Sequence, residues 1–108
     1  MPIMAIYRSN RVTRDQYNAF RAALPLGAAP PTALVHCLAK PVDGAHLVVE
    51  VWETREAFEA FSRDVVNPAL EKHGLPIVPP ELIELDELAV TPSVKKYEVD
   101  LRRTTEPA

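Results

Sequence analysis

Two side chains with acid–base chemistry, His36 and Glu50, come into register if the chain around them folds as a β-hairpin. Val-Asp-Gly at residues 42–44 predicts a three-residue loop that pairs Pro41 with Ala45 and so sets His36 opposite Glu50. Directly opposed residues have Cβ atoms about 4.5–5.5 Å apart, within side-chain reach. A carboxylate beside an imidazole favours the protonated ring and fixes its tautomer, which suits a general base. The alternative is a polar pair that only sets the hairpin register.

The same register divides the hairpin into two faces. One is wholly apolar and is expected to lie under the helices, with an inert Cys37; it comprises Val35, Cys37, Ala39, Leu47, Val49 and Val51. The other is mixed, with Leu34 opposite Trp52 and Leu38 opposite Val48, and it also carries His36, Lys40, His46 and Glu50. A two-residue Asp-Gly turn would bury Glu50 in the apolar layer at high cost, so the longer loop is predicted. His46, next to the loop, is expected to be a solvated rim residue.

Patterns along the rest of the chain predict the elements that position these residues. Before the hairpin, they indicate a strand at 2–8 with Tyr7 on one face, and a helix at about 14–24 that follows the capping box of Thr13 and Gln16. After the hairpin, they indicate a helix at about 54–66 and a short helix that begins again at Asn67-Pro68 and ends at Gly74. A strand at 81–91 follows. This βαββαβ order predicts an α+β, ferredoxin-like domain over residues 1–92, an antiparallel sheet with its helices on one face. A C-terminal extension, 93–108, carries a possible extra strand at 96–101, because apolar residues alternate there.

A homodimer is expected from the mixed face of the hairpin. In a lone chain this face would expose four apolar side chains, Leu34, Leu38, Val48 and Trp52, and a second copy packed sheet to sheet would cover them.

Composition and motifs exclude several classes of function. The net charge of −3 without a basic run argues against nucleic acid and membrane partners, and a single cysteine without a signal sequence indicates a cytoplasmic protein. His46 is four residues from Glu50 along one strand, roughly 13 Å at about 3.3 Å per residue, so these two and His36 do not converge on a metal. No phosphate loop or dinucleotide fingerprint is present, and no cofactor is expected.

The run from His36 to Phe61 resembles the antibiotic biosynthesis monooxygenase-like family of dimeric α+β barrels. The resemblance rests on a histidine on strand two, on Gly44 eight residues later, on the segment VVEVWETREAFEAF, and on a Pro-x-Leu pair at 68–70. It implies a dimer with an internal cavity and cofactor-free oxygenation of an electron-rich, phenol-like substrate. Trp52 matches a cavity-lining tryptophan of such oxygenases. Haem-degrading relatives need an axial histidine on the second long helix, and residues 55–66 contain none.

Three functional hypotheses follow. The first is a cofactor-independent monooxygenase of an aromatic or polyketide-like molecule, with His36 as general base oriented by Glu50 and with substrate contacts from Tyr7, Leu34, Leu38, Val48 and Trp52. The second is a cofactor-free cyclase or isomerase that uses the same base to enolise a polyketide-like ketone. The third is a non-enzymatic, dimeric ligand-binding protein.

Overall fold

The computed structural model describes residues 1–24 and 31–98, which form an α+β fold. Its elements are β1 (Ile3–Ser9), α1 (Arg14–Ala23), β2 (Ala33–Leu38), β3 (His46–Trp52), α2 (Arg55–Phe61), a π-helical turn (Ser62–Val66), α3 (Asn67–Lys72), β4 (Glu81–Glu84) and a 3₁₀ helix (Pro92–Tyr97). The strands form one four-stranded sheet in the order β2-β3-β1-β4, and all neighbours are antiparallel. Within the described ranges, no helix is both long and apolar enough to cross a membrane.

Helix α1 begins at the capping box that the sequence predicts. The Thr13 hydroxyl accepts a hydrogen bond from the Gln16 backbone N–H at 3.1 Å, and the Gln16 side chain accepts one from the Thr13 N–H at 2.8 Å. Loss of such a cap destabilises a helix by about 1 kcal/mol. This local motif therefore fixes where α1 starts, and with it the position of the residues that α1 sets against the sheet.

The hairpin turn is shorter than predicted. Val42 and Ala45 exchange backbone hydrogen bonds of 3.0 and 2.9 Å, and the residues between them, Asp43 and Gly44, have φ of 51° and 77°. Two successive positive φ values define a type I′ turn, whose twist matches that of the strands. The predicted three-residue loop, with Pro41 opposite Ala45, is therefore wrong.

The predicted register of the strands is nevertheless confirmed where it matters for the site. The Ala39 N–H donates to the Leu47 carbonyl at 3.0 Å, and the next pair is that of Val42 with Ala45. Residues 40 and 41, which follow β2, therefore lie opposite a single residue of β3, His46. This bulge offsets the shorter turn by one residue. As a result, His36 faces Glu50 and Leu38 faces Val48, as expected.

A second irregularity, also in the pairing of β2 with β3, leaves Leu34 without a partner in the ladder. Ala33 pairs with Trp52 and Val35 with Val51, so Leu34 is an extra residue between two paired positions. Its side chain is 41% exposed. The predicted pairing of Leu34 with Trp52 is therefore wrong, because a bulge leaves one residue of a strand without a partner.

The helices cover the sheet face that carries Trp52 and Glu50, and the prediction that they cover the wholly apolar face is wrong. Trp52 is buried, with its ring centroid 5.9 Å from that of Phe58 and 5.4 Å from that of Phe61. Cys37 lies on the other face and is exposed, so the expectation of a buried thiol is also wrong. Both faces of the hairpin are apolar enough to be buried. The aromatic rings of the helices bury a larger area against Trp52 than they would against the valines of the other face.

The face of the sheet away from the helices carries apolar side chains on all four strands, together with the charged and exposed Arg8 and Glu81. We call it the open face; by the strand register it comprises Met4, Ile6, Arg8, Val35, Cys37, Leu47, Val49, Val51, Glu81 and Ile83. Most of these side chains are partly exposed in the single chain, Ile83 by 38%. By contrast, Val48 and Trp52, expected at a dimer interface, are already buried beneath the helices. The partly exposed apolar surface of the sheet is thus the opposite one.

The second helical region runs without the predicted break. Asn67 has helical dihedral angles (φ −62°, ψ −42°), and the π-helical turn carries α2 directly into α3, so Asn67 is not an N-cap. The predicted end at Gly74 is confirmed. Gly74 has φ of 68°, its N–H donates to the Glu71 carbonyl, and the Leu75 N–H donates to the Leu70 carbonyl, which is a Schellman ending.

The C-terminal part holds less strand than predicted. β4 covers Glu81–Glu84 rather than 81–91, because Glu84 already faces Ile3, the first residue of β1, and a last backbone bond joins the next residue to Pro2. Pro92 then opens a 3₁₀ helix, since its fixed φ favours a first helical position. Residues 96 and 97 belong to this helix and not to an extra strand, while 99–101 lie outside the described residues.

Candidate functional site

A cavity of about 190 Å³ lies between the sheet and the helices. An engineered apolar cavity of about 150 Å³ is enough to bind benzene, so this space is large enough for one substituted ring. Its walls come from the strands (Tyr7, Ser9, Ala33, His36, His46, Val48, Glu50, Trp52), from the helical segments and the turn before α1 (Val12, Tyr17, Phe20, Arg21, Leu24, Phe61, Ser62, Val66, Leu70) and from the loop after α3 (Leu75, Pro76, Val78).

Four of these side chains form a continuous polar chain along one wall. The Trp52 indole N–H donates to Glu50 Oε1 at 3.0 Å, and Glu50 Oε2 lies 3.4 Å from His36 Nδ1. On the far side of the ring, His36 Nε2 lies 3.4 Å from the Tyr17 hydroxyl. A carboxylate only accepts hydrogen bonds, so Glu50 favours the proton on Nδ1 and leaves a lone pair on Nε2. Nε2 is then the basic atom of the site, and in this tautomer the Tyr17 hydroxyl donates to it.

The three sheet residues of this polar chain are placed by the hairpin, and Tyr17 is placed by α1. Side chains alternate along a strand, so Glu50 and Trp52 point to the same face, and His36 meets Glu50 across the ladder. Helix α1 is tied to the end of β2 by a hydrogen bond of 2.8 Å from Arg14 Nη2 to the Ala39 carbonyl. This contact helps to hold the Tyr17 hydroxyl over the imidazole.

Two phenol groups in the cavity remain protonated well beyond neutral pH. Burial raises the pKa of Tyr7, and the nearby carboxylate of Glu50 raises it further, while the Ser62 hydroxyl opposes the shift. Burial also raises the pKa of Tyr17, with Arg21 acting in the opposite direction and Glu50 in the same one. Both side chains therefore offer O–H donors to the cavity and do not act as bases.

The structure brings together most of the residues that the sequence singles out. His36, Glu50, Trp52, Tyr7 and Val48 all line the cavity. The other two predicted substrate contacts do not. Leu34 sits in the bulge and is exposed, and Leu38 lies on the edge strand, outside the lining residues.

His46 is buried, and its prediction as a solvated rim residue is wrong. Its side chain is 7% exposed and stacks on Tyr17, with ring centroids 6.3 Å apart and planes 18° apart. The cause is the position of α1, which lies over this end of β3. Nδ1 of His46 is sealed from solvent and has no hydrogen-bond partner among residues 1–24 and 31–98.

Tyr17 is the site residue that sequence reasoning missed. It fits the apolar stripe of α1 with Phe20 and Leu24, so the pattern alone assigns it to the core. A buried tyrosine needs a partner for its hydroxyl, and this is the signal that could have drawn attention to it.

Further polar groups of the described residues do not assemble into a metal site. No group of three or more His, Cys, Asp or Glu side chains within residues 1–24 and 31–98 has a geometry that could hold a metal ion. The exposed Glu84 and Asp86 stand outside the cavity lining.

Comparison of the chain with protein-family models and with curated protein sequences gives no match.

Proposed function

We propose that this protein is a cofactor-independent monooxygenase of an electron-rich aromatic or polyketide-like small molecule, with His36 as general base oriented by Glu50. The observation that carries the proposal is the polar chain from Trp52 to Tyr17 on the wall of an otherwise largely apolar cavity. Such a chain holds one basic nitrogen in a defined tautomer beside a space that fits a ring. Apolar cavities with a few convergent polar groups are typical binding sites for small molecules.

Proton abstraction by His36 is the first step of the proposed reaction. The contact between Nε2 and the Tyr17 hydroxyl is long at 3.4 Å, so a substrate hydroxyl can replace the tyrosine as hydrogen-bond donor. His36 then takes the substrate proton, and Glu50 stabilises the imidazolium that forms. The protonated phenols of Tyr7 and Tyr17 can donate hydrogen bonds to the developing phenolate oxygen.

Dioxygen is the oxidant in the second step. The phenolate transfers electrons to dioxygen, a ring carbon forms a C–O bond, and a peroxide anion results. His36 returns its proton to this anion and gives the hydroperoxide. The ring carbon then loses its hydrogen as a proton, the O–O bond breaks, and the departing hydroxide takes up that proton as water. One oxygen atom stays in the quinone product and the other becomes water. A phenol and one dioxygen molecule thus give a quinone and one water, and the substrate supplies all four electrons.

The architecture supports the family resemblance on which this chemistry draws. The strand order β2-β3-β1-β4 and the helices on one face are those expected of a ferredoxin-like fold. We further propose a homodimer that buries the open face, since its eight uncharged side chains form a mainly apolar surface over four strands that a second copy can cover. An interface of about 1,600 Å² in total is expected. A reducing, cytoplasmic location is consistent with the exposed thiol of Cys37.

The test begins with mass spectrometry of small molecules that copurify with the native protein, to choose a substrate. Oxygen uptake is then measured with that phenol for the wild type, for His36→Gln and for His73→Gln. His73 ends α3 in an exposed position, so its variant is a matched control for the loss of an imidazole. We expect uptake matched by quinone formation, lost only in His36→Gln.

The other outcomes identify the rival functions. Product formation without oxygen uptake indicates a cyclase or isomerase that uses the same base. Ligand binding without turnover in any variant indicates a binding protein in which His36 and Glu50 only set the strand register. Either result overturns the proposed oxygenation.

A further inference from the structure

Arg21 and Glu50 are the two formally charged side chains among the residues that line the cavity. Glu50 is already satisfied by Trp52 and His36. Arg21 is half-buried in the last turn of α1, and within residues 1–24 and 31–98 it forms no ion pair. A guanidinium at the wall of an apolar space, without a carboxylate beside it, is a ready partner for an anionic group of a ligand.

We infer that the cavity binds aromatic compounds that carry a carboxylate, with the carboxylate on Arg21 and a ring hydroxyl at His36. This inference rests on the proposed function and narrows its substrate class to anionic hydroxyarenes. The guanidinium fork matches a carboxylate through two parallel hydrogen bonds, so Arg21 selects both the charge and the orientation of the ring. Orientation in turn decides which oxygen reaches the basic nitrogen.

The spacing along α1 places Arg21 on the same side of the helix as the residue that contacts His36. Tyr17 and Arg21 are four residues apart, so they lie on one face of the helix, separated by about 6 Å along its axis. Tyr17 marks the His36 end of the cavity, because its hydroxyl contacts Nε2 at 3.4 Å.

Charges of both signs, Arg21 and Arg14 on one side of the balance and Glu50 on the other, act on the Tyr17 phenol. Burial is the main cause of the raised pKa of Tyr17, and Arg21 and Glu50 shift that pKa in opposite directions. Both charges are therefore within electrostatic range of Tyr17. Arg21 also suits the C-terminal turn of α1, where a cation interacts favourably with the helix dipole. That role needs no particular face of the helix, whereas Arg21 lies on the face that lines the cavity.

The experiment compares two probes of the same shape, 4-hydroxybenzoate and its neutral isostere 4-hydroxybenzamide. Trp52 is the single tryptophan, so its indole N–H gives one resolved NMR signal inside the site, and the shift of this signal during titration yields each Kd. We expect the wild type to bind the carboxylate about tenfold more tightly than the amide, equivalent to about 1.4 kcal/mol.

Three variants assign that preference to one side chain. Arg21→Gln removes the charge and should reduce the ratio of the two Kd values to within twofold, while Arg21→Lys keeps a charge and should retain a ratio above threefold. Arg11→Gln removes a charge from an exposed loop residue outside the cavity and should leave the ratio unchanged. Thermal unfolding of each variant shows whether the fold is intact.

The results separate failure of this inference from failure of the proposed function. Equal affinities in the wild type, or an unchanged ratio in Arg21→Gln, overturn the role of Arg21 while a phenol-binding cavity stands. If neither probe moves the Trp52 signal, both the inference and the phenol-binding cavity are overturned.

Discussion

Replacement of Glu50 by glutamine should reverse the tautomer of His36. The amide oxygen can still accept the Trp52 indole N–H, which lies 3.0 Å from Oε1 in the native site. This leaves the amide NH₂ facing Nδ1 of His36, in the place of an oxygen at 3.4 Å. An NH₂ group only donates, so Nδ1 must become an acceptor and the proton must move to Nε2. The basic lone pair then points away from the cavity.

The expected size of the effect differs between stability and chemistry. A hydrogen bond to a charged group contributes about 1.5–3 kcal/mol and a neutral one about 0.5–1.5 kcal/mol, so the Trp52 hydrogen bond loses about 1 kcal/mol. The His36 contact is long at 3.4 Å, and the two side chains are 17% and 22% exposed, so solvent screens this contact and it adds little. We expect a total loss of about 1 kcal/mol, or about 4 °C in Tm. A wrong tautomer should reduce base-catalysed turnover by roughly 10²–10⁴-fold.

Nitrogen NMR reads the tautomer directly. In the wild type at a pH where the ring is neutral, the His36 spectrum should show a protonated Nδ1 and a bare Nε2, and in Glu50→Gln the two should exchange. Glu59→Gln is the control, because Glu59 is exposed, pairs with Arg55 and does not line the cavity. An unchanged His36 pattern in Glu50→Gln would refute the reasoning that Glu50 sets the tautomer.

Further predictions test the burial, the open face and the turn. Because folding raises the pKa of Tyr7 and Tyr17 above their ordinary value of 10.0, stability should be full below about pH 10 and fall as pH rises above it; urea titrations should show this fall reduced in Tyr7→Phe. Cys37 should react quickly with a thiol reagent in dilute solution and more slowly as concentration rises, because dimer formation covers the open face; Val49→Asp should keep labelling fast at every concentration. Gly44→Ala should lower the free energy of unfolding by about 1 kcal/mol, because alanine is strained at the φ of 77°. The added methyl group meets no atom within 4 Å, so this backbone strain is the whole expected effect. A loss near zero would contradict the type I′ turn.

Local rules in the sequence determined the elements and one pairing of the site. The capping box of Thr13 and the Schellman glycine at position 74 act within one turn of helix, so neighbouring residues suffice to predict them. The meeting of His36 and Glu50 was also predictable, although the turn was wrong, because the bulge at 40–41 offsets the shorter turn. Side chains alternate between the two faces of a strand, so a shift of one residue moves every side chain to the other face. The register that keeps the polar pair out of the wholly apolar face is therefore preferred over its neighbours.

Only the tertiary structure decided which face of the sheet the helices cover. Alternation along a strand separates two faces but does not tell which of them is buried. Here both faces are apolar enough to be buried. The choice depends on the fit of Phe58 and Phe61 around Trp52, and on mutual satisfaction of the polar groups buried with it. The same long-range packing brings α1 onto the hairpin and closes the polar chain with Tyr17. Residues 19 positions apart in the chain meet there, and no local pattern records that contact.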